Sequence, residues 1–187
     1  MRRIARLPAL GLLAAAAIVA LAGCGNKLET RTLGETEGIY IDVGELKYQV
    51  QLSRILNPDD TEDRTYFLGL PAGEAATAEQ AWFAIFLRVQ NTTDRTLAPA
   101  NEFEIVDTQE KSFTPLQLQD NPFAYEPVAL APKGIIPAPD SIAGEGVIQG
   151  SLLLFKVDVA SLQNRPLEFR IRSAQRPDEV GIVDLDV

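Results

Sequence analysis

The chain contains a single cysteine, Cys24, whose position indicates a chemical role for its thiol. It follows an uncharged apolar stretch, residues 7–22, which is preceded by Arg2, Arg3 and Arg6. A basic start, an apolar stretch and then small residues are typical of a segment that directs export and is removed afterwards. The stretch is also shorter than the roughly 20 residues that a membrane-spanning helix needs. The sequence therefore predicts a removed signal peptide, residues 1–23.

The residues around this thiol, Leu21-Ala22-Gly23-Cys24, resemble the lipobox of bacterial lipoproteins. In that family the cysteine sulfur is joined to a diacylglycerol, the peptide before it is cut, and the new amino group is commonly acylated. Two or three acyl chains anchor a protein stably where one is marginal. The resemblance implies lipid attachment at Cys24 and a location on the extracytoplasmic face of the cell membrane. An uncleaved signal anchor and an ordinary secreted protein are the alternatives.

Composition restricts the other chemistry that the chain can perform. It has no histidine, which removes the commonest general base and the usual imidazole metal ligand. With Cys24 committed to lipid, no thiol is left for zinc, haem or iron–sulfur ligation. Removal of residues 1–23 takes away three of the 17 basic residues and none of the 26 acidic ones, so 14 minus 26 gives a net charge of −12. Phosphate backbones repel such a chain, and no nucleic-acid partner is expected.

The densest group of carboxylates lies in a predicted loop, in the stretch Asn-Pro-Asp-Asp-Thr-Glu-Asp. Calcium takes about six to eight oxygen ligands, and an acidic loop can supply several of them. The spacing differs from that of the EF-hand loop and lacks its glycine. A solvated loop is the simpler interpretation. A calcium or small-ligand site is the alternative function, and its candidate ligands are Asp59, Asp60, Glu62 and Asp63.

A second candidate region is residues 120–150, which contains five prolines and four glycines and shows little alternation. Irregular segments of this length inside a domain are uncommon and are often functional. Exposed apolar side chains in it would form a partner-binding rim. The alternative is a segment that packs across the sandwich and covers its edge. The candidate anchors of the rim are Phe123, Tyr125, Ile135 and Ile136.

Catalysis has little support in the sequence. Two carboxylates alone can hydrolyse glycosides, but no spacing in this chain indicates two acids that converge on a cleft. A histidine-free pair of serine and lysine is also possible in principle, yet no Ser-x-x-Lys motif is present. We therefore expect a non-enzymatic interaction or accessory module of the cell envelope, with an unidentified envelope protein as its partner and no cofactor besides the lipid.

The elements that position these residues are predicted to be strands. Leu46 to Leu52 alternates apolar with polar residues, which indicates a strand with one buried face. Residues 81–89 are apolar on both sides, as in a central strand that is covered on both faces. Turn residues separate these strands from the later ones, which are predicted at Phe103 to Asp107, Phe113 to Leu118, Ser151 to Val159, Leu167 to Arg172 and Gly181 to Val187. Seven or eight short strands without a helical period predict an all-β fold, an antiparallel β-sandwich.

The order of these stretches is similar to the immunoglobulin-like domain of many exported bacterial lipoproteins. The similarity covers "IYIDVGELKYQV", "WFAIFLRVQNTTDRTL", "FEIVDTQEKSF" and "GVIQGSLLLFKVD" followed by "NRPLEFRI". Most of that group has no known function, and some members carry the misleading name telomeric repeat-binding factor. The resemblance implies an immunoglobulin-like sandwich outside the cytoplasm and supplies no catalytic residue. The expected organisation is a signal peptide at 1–23, a lipidated N-terminus and flexible tether at 24–38, and a sandwich domain at 39–187 whose last strand lies at an edge.

Overall fold

Strands are the main regular elements of the computed structural model, which describes residues 31–186. In this part of the chain there are ten strands, one four-residue helix and two 3₁₀ turns. Their bounds are β1 Leu33–Gly34, β2 Ile41–Val43, β3 Leu46–Leu56, a 3₁₀ turn Arg64–Phe67, β4 Gln80–Gln90, β5 Glu102–Val106, β6 Ser112–Phe113, β7 Ile135–Ile136, α1 Ile142–Glu145, β8 Ser151–Asp158, a 3₁₀ turn Ser161–Gln163, β9 Leu167–Arg172 and β10 Val180–Leu185.

The strands form two sheets that pack face to face. Sheet I has the order β1-β10-β9-β5-β6. Sheet II has the order β2-β3-β4, and the far side of β4 pairs with β8 along Gln80 to Leu87 and with β7 at Val89 and Gln90. The pairs are antiparallel except for β1 with β10, which is parallel. The predicted all-β sandwich is confirmed.

Inward-facing side chains of the two sheets form the main core. Phe83 and Ile85 of β4 are fully buried there, as are Phe155 of β8 and Phe169 of β9. The ring of Phe155, on sheet II, meets the ring of Phe169, on sheet I, edge to face at 6.4 Å between centroids. Buried aromatic pairs of this kind contribute about 0.5–1.5 kcal/mol beyond their area. They hold the two sheets together at the centre of the sandwich.

A second apolar cluster lies on the outer face of sheet II, and we call it the outer cluster. The alternate residues of β4, Trp82, Ala84 and Phe86, are buried in it together with Leu152 and Leu154 of β8. Side chains from the loops on either side cover this face, and they include Tyr66, Phe67, Leu70, Leu116, Leu118 and Phe123. The prediction that residues 81–89 form a central strand covered on both faces is confirmed.

The predicted tether does not extend to residue 38. Leu33 and Gly34 form β1, which pairs with Ile182 and Val183 of β10. The Glu37 carboxylate accepts hydrogen bonds from the main-chain N–H groups of Ser53, at 2.9 Å, and of residue 186, at 3.2 Å. Residues 31–38 therefore belong to the sandwich. The last strand, expected at an edge, has a partner on its far side only at Ile182 and Val183, where β1 pairs with it.

Two other predicted elements differ from the structure. The strand expected at Phe113 to Leu118 is limited to Ser112 and Phe113, because Pro115 has no N–H to donate and the chain leaves sheet I there. The segment 120–150, expected to be irregular throughout, contains β7 and the short helix α1. These short elements raise the number of strands from the predicted seven or eight to ten in residues 31–186.

Two buried tyrosines hold the main chain that leads into β5. The Tyr48 hydroxyl accepts a hydrogen bond from the N–H of Ala100 at 2.7 Å, and the Tyr125 hydroxyl donates to the C=O of the same residue at 2.8 Å. The Tyr125 ring also meets Phe103 edge to face at 5.1 Å. Burial raises the pKa of Tyr48 to about 12, which outweighs the opposing hydrogen bond from Ala100. Sheet II thereby fixes the start of β5 in sheet I.

We expect Tyr48→Phe to lower the free energy of unfolding by about 1–3 kcal/mol at neutral pH, because the buried N–H of Ala100 loses its acceptor. The measurement is urea unfolding, followed by the fluorescence of Trp82, the only tryptophan. Tyr40→Phe is the matched control, because the Tyr40 hydroxyl bonds only the partly buried Gln90 side chain. A loss no larger than that of the control would contradict the role of this contact.

The same variant should differ from the wild type at alkaline pH. An unfolded tyrosine ionises near pH 10, whereas the pKa of folded Tyr48 is raised to about 12. The contribution of neutral Tyr48 to stability is therefore complete below about pH 10 and is lost as the pH rises toward about 12. Between about pH 10 and 12, Tyr48→Phe should lose less stability than the wild type. Parallel losses in the two proteins would contradict this assignment.

Candidate functional site

The acidic loop does not gather its carboxylates around one point. Asp59, Asp60 and Glu62 are exposed, and Asp60 accepts a hydrogen bond from the N–H of Glu62 at 2.8 Å, which closes a local turn. Asp63 alone is buried, with 4% of its surface exposed. Within residues 31–186, no group of three or more His, Cys, Asp or Glu side chains is arranged to hold a metal ion. The geometry gives the predicted calcium site no support.

Asp63 instead connects this loop to sheet II. One carboxylate oxygen forms an ion pair with the Arg54 guanidinium on β3, and the other accepts from the N–H of Asn57 at 2.8 Å. Burial alone would raise the pKa of Asp63. Hydrogen bonds from the Arg54 guanidinium and the Asn57 N–H, together with the positive charge of Arg54, outweigh the effect of burial, so the pKa of Asp63 is lowered. The Arg54 guanidinium also lies 5.9 Å from the centre of the Tyr66 ring, at the edge of the outer cluster.

The four apolar residues predicted as a binding rim are not exposed anchors. Phe123 packs on the outer cluster, with its ring 5.0 Å from that of Tyr66. Tyr125 bonds the main chain before β5, as described above. Ile135 and Ile136 form β7, and Ile136 is only 5% exposed. The predicted exposure of these residues is wrong, because each completes a face or an edge of the sandwich. The alternative interpretation of the segment, a cover across the sandwich, agrees with the structure.

The segment 120–150 exposes different apolar side chains. Val128, Ile142 and Val147 are 55%, 58% and 105% exposed, and we call them the exposed aliphatic surface. Val128 also lines a cavity of about 250 Å³, together with Pro137 and Ala143 among others. In the sequence, Val147 is followed directly by Ile148, which packs on the outer cluster. Nothing in this short apolar pair distinguishes the inward from the outward residue, so sequence reasoning missed Val147.

This segment is held in place by main-chain and side-chain hydrogen bonds. The buried side chain of Asn91, at the end of β4, donates to the carbonyls of Arg95 at 2.6 Å, Leu130 at 3.1 Å and Ala131 at 3.0 Å. Leu97 and Leu130 exchange main-chain bonds of 3.0 and 2.8 Å. The Ser141 hydroxyl caps α1 by accepting from the N–H of Gly144 at 3.1 Å. The exposed aliphatic surface is therefore presented on an ordered backbone.

The predicted membrane anchor lies outside the described residues, since Cys24 precedes residue 31. The part of the chain that the structure describes has no helix that is long and apolar enough to cross a membrane.

The different environments of the acidic residues lead to a testable difference in stability. Asp63→Asn should destabilise the protein by about 3 kcal/mol, because it leaves the Arg54 guanidinium without its carboxylate against a partly buried face. Asp60→Asn, in the same loop and exposed, is the control and should change stability by less than about 0.5 kcal/mol, since the amide oxygen of Asn can still accept from the N–H of Glu62. Urea unfolding at neutral pH measures both. Equal effects would show that the Asp63 ion pair does not hold the loop.

Comparison with known proteins gave structural similarities only. No family model matches the sequence, and no curated protein matches it. The yjhA protein of Bacillus subtilis has a crystal structure that aligns with a TM-score of 0.47 and 10% identity, over 81% of this chain and 99% of that one. An uncharacterized β-sandwich protein of Clostridium difficile 630 aligns with a TM-score of 0.45 and 10% identity, over 81% and 93% of the two chains.

The third similar structure is that of ycdA from Bacillus subtilis, a candidate lipoprotein, with a TM-score of 0.47 and 9% identity. The alignment covers 78% of this chain but only 38% of ycdA, so the two proteins differ in extent. At identities and TM-scores this low, nothing about function follows from the three similarities.

Proposed function

We propose that this protein is a lipid-anchored, non-enzymatic interaction module that acts outside the cytoplasmic membrane. The arginine-rich start, the apolar stretch and the Leu21–Cys24 motif support export and lipid attachment at Cys24. The lack of histidine and the commitment of the only cysteine to lipid favour binding over catalysis. The proposed partner is a protein of the cell envelope.

One observation carries the interaction role, namely the exposed aliphatic surface. Val128, Ile142 and Val147 expose apolar area on a segment whose backbone is fixed by Asn91 and by α1. Single exposed apolar residues are ordinary on protein surfaces. Three of them lie on one hydrogen-bonded segment, and Val128 also lines a cavity of about 250 Å³. They offer a partner apolar contacts without the cost of ordering a flexible loop.

The lipid anchor is tested on the protein expressed with its own N-terminal segment. We expect mass spectrometry of the mature chain to show cleavage before Cys24 and a diacylglycerol on its sulfur. Cys24→Ser should remove the lipid and shift the protein from the membrane fraction to the extracytoplasmic soluble fraction. A wild-type protein that keeps residues 1–23, or a mature chain without lipid, would disprove the anchor and leave the interaction role to be tested separately.

The interaction role is tested by photo-crosslinking in intact cells. A photoreactive amino acid placed at Val128, Ile142 or Val147 should yield one recurrent crosslinked protein. Ile55 and Leu68 are matched controls, because they are also exposed aliphatic residues, at 53% and 50%, but lie outside the segment. Val147→Asp should lower the yield about tenfold or more, since it places a charge in an apolar contact. Equal yields at the test and control positions would exclude this surface as the binding site.

A further inference from the structure

The strands of sheet II carry four basic side chains on the outer face, and one of them differs from the other three. The four are Lys47 and Arg54 on β3, Arg88 on β4 and Lys156 on β8. Three of them form ion pairs with carboxylates of β2 or of the loop between β3 and β4, and these pairs are Lys47–Asp42, Arg54–Asp63 and Lys156–Glu74. Within residues 31–186, no carboxylate oxygen lies within 4.0 Å of the Arg88 guanidinium.

The Arg88 guanidinium also has few hydrogen bonds. Its Nε is buried and has no acceptor among residues 31–186. One terminal nitrogen donates to the side-chain oxygen of Gln149 at 3.5 Å, which is long for a hydrogen bond. The residue opposite Arg88 on β3 is Gln49, which has no charge. Because a guanidinium is always protonated in proteins, a full positive charge lies here without a counter-ion in the described part of the fold.

Partial burial distinguishes Arg88 from the other unpaired cations. Three further arginines in residues 31–186 have no carboxylate within 4.0 Å, namely Arg31, Arg64 and Arg165, and all three are exposed. Water solvates an exposed charge, so an ion pair there adds little. Arg88 is partly buried, and it is the one such cation of the described chain that lacks a carboxylate.

Arg88 lies beside the exposed aliphatic surface. The chain passes close to β4 at Gly150, where an added Cβ would come within 2.8 Å of the Phe86 carbonyl carbon. The Gln149 side chain reaches Arg88, and Val147 precedes Gln149 by two residues, a span of at most about 7 Å. A stable interface covers about 800 Å² of each partner. A partner that covers Val147 therefore also covers the end of the Arg88 side chain.

Covering Arg88 has a strong electrostatic consequence. A charge that loses its water without gaining a counter-ion destabilises the complex. A protein that contacts Val147 must therefore bring an anion to Arg88, and proteins that cannot do so are rejected. A single cation matches an anion of a single charge. A phosphate group carries about two negative charges, and the excess of acidic residues in this chain repels it. A carboxylate has one charge and two oxygens that fit the guanidinium.

We propose that Arg88 forms an ion pair with an aspartate or glutamate of the envelope protein that contacts the exposed aliphatic surface. This inference rests on the proposed function, because it assigns the chemistry of the same partner. The carboxylate of the partner takes the position relative to Arg88 that Asp63 has relative to Arg54. The neighbouring Gln49 and Gln149 bring no charge that would compete with it. Arg88 thereby determines which proteins the exposed aliphatic surface accepts.

The first test measures photo-crosslinking from Val147 in intact cells. Arg88→Met, which removes the charge but keeps an unbranched side chain, should lower the yield of the recurrent crosslink about tenfold. Arg88→Lys should restore part of that yield, because it keeps the charge without the planar fork. Arg64→Met is the matched control, since Arg64 is also an arginine without a carboxylate but is exposed, and it should leave the yield unchanged.

The outcomes separate this proposal from the proposed function. If the chain with native Arg88 gives no recurrent crosslink from Val147, Ile142 or Val128, the proposed function fails and this inference fails with it. If the crosslink forms and Arg88→Met leaves its yield unchanged, the exposed aliphatic surface is a binding site and only the role of Arg88 is wrong.

Carbodiimide coupling identifies the group that meets Arg88. The reagent activates a carboxyl group, and an amine in contact with it then forms an amide and releases the reagent as a urea. Arginine does not react in this way. In isolated membranes that contain the lipidated full chain, Arg88→Lys should therefore give an amide between the introduced amine and an Asp or Glu of the protein captured from Val147. Arg64→Lys should give no amide to that protein. Coupling of position 88 only to carboxylates of its own chain would overturn the proposal.

Melting of the variants separates binding from folding. Because Arg88 has no counter-ion in residues 31–186, Arg88→Met should shift the melting temperature by less than about 3 °C. Circular dichroism of the purified chain in detergent micelles measures this shift. A large fall in melting temperature, together with a loss of crosslinking that Arg88→Lys does not restore, would assign Arg88 a structural role and contradict the ion pair with a partner.

Discussion

The two-sided burial of β4 is the constraint on which the rest of this structure depends. Its inward residues Phe83 and Ile85 meet sheet I, whereas Trp82 and Phe86 face away from the sandwich and are buried as well. Leaving a side chain of this size exposed instead of buried costs about 1.5–3 kcal/mol. A two-sheet sandwich covers only one face of each sheet. The outer face of sheet II therefore needs a cover that does not come from strands.

Loops supply that cover, and polar contacts hold them in place. Tyr66 and Phe67 come from the segment between β3 and β4, and the Asp63–Arg54 ion pair fixes its start to β3. At the other end of the face, the Asn121 side chain donates to the carbonyls of Tyr66 and Leu68 at 3.0 and 2.9 Å, which joins two covering segments to each other. Loops that carry core side chains behave as part of the core, and this explains why their aromatic residues are not available to a partner.

The parts of the fold that follow from local patterns were predictable from the sequence. Residues apolar on both sides predicted the central strand β4, and the alternation of Leu167 to Arg172 predicted β9. Strand β1 was missed because it is two residues long in a polar segment, with Leu33 half exposed. What makes it a strand is its parallel pairing with β10, about 150 residues away in the chain. A local sequence pattern cannot identify a strand partner that is so distant in the chain.

The candidate sites were harder to predict, because the roles of their residues depend on contacts distant in sequence. Asp63 has the same chemistry as Asp60, and only the position of Arg54 distinguishes a buried ion pair from a solvated carboxylate. Phe123 was predicted to be exposed because it lies in a proline-rich segment. The sequence also contained an indication that Phe123 is buried. Trp82 and Phe86 lie on the outward face of β4 and need apolar neighbours, and Phe123 is one of the side chains that pack on them.

The cover of the outer face and the short pairing between β5 and β6 have a common origin. Leu116 and Leu118 pack on the outer cluster, and to reach it the chain must leave sheet I directly after Phe113. Had residues 114–118 continued as a strand beside β5, the two leucines would not reach the outer face of sheet II. Burial of β4 on its second face thus leaves main-chain groups of β5 without a strand partner.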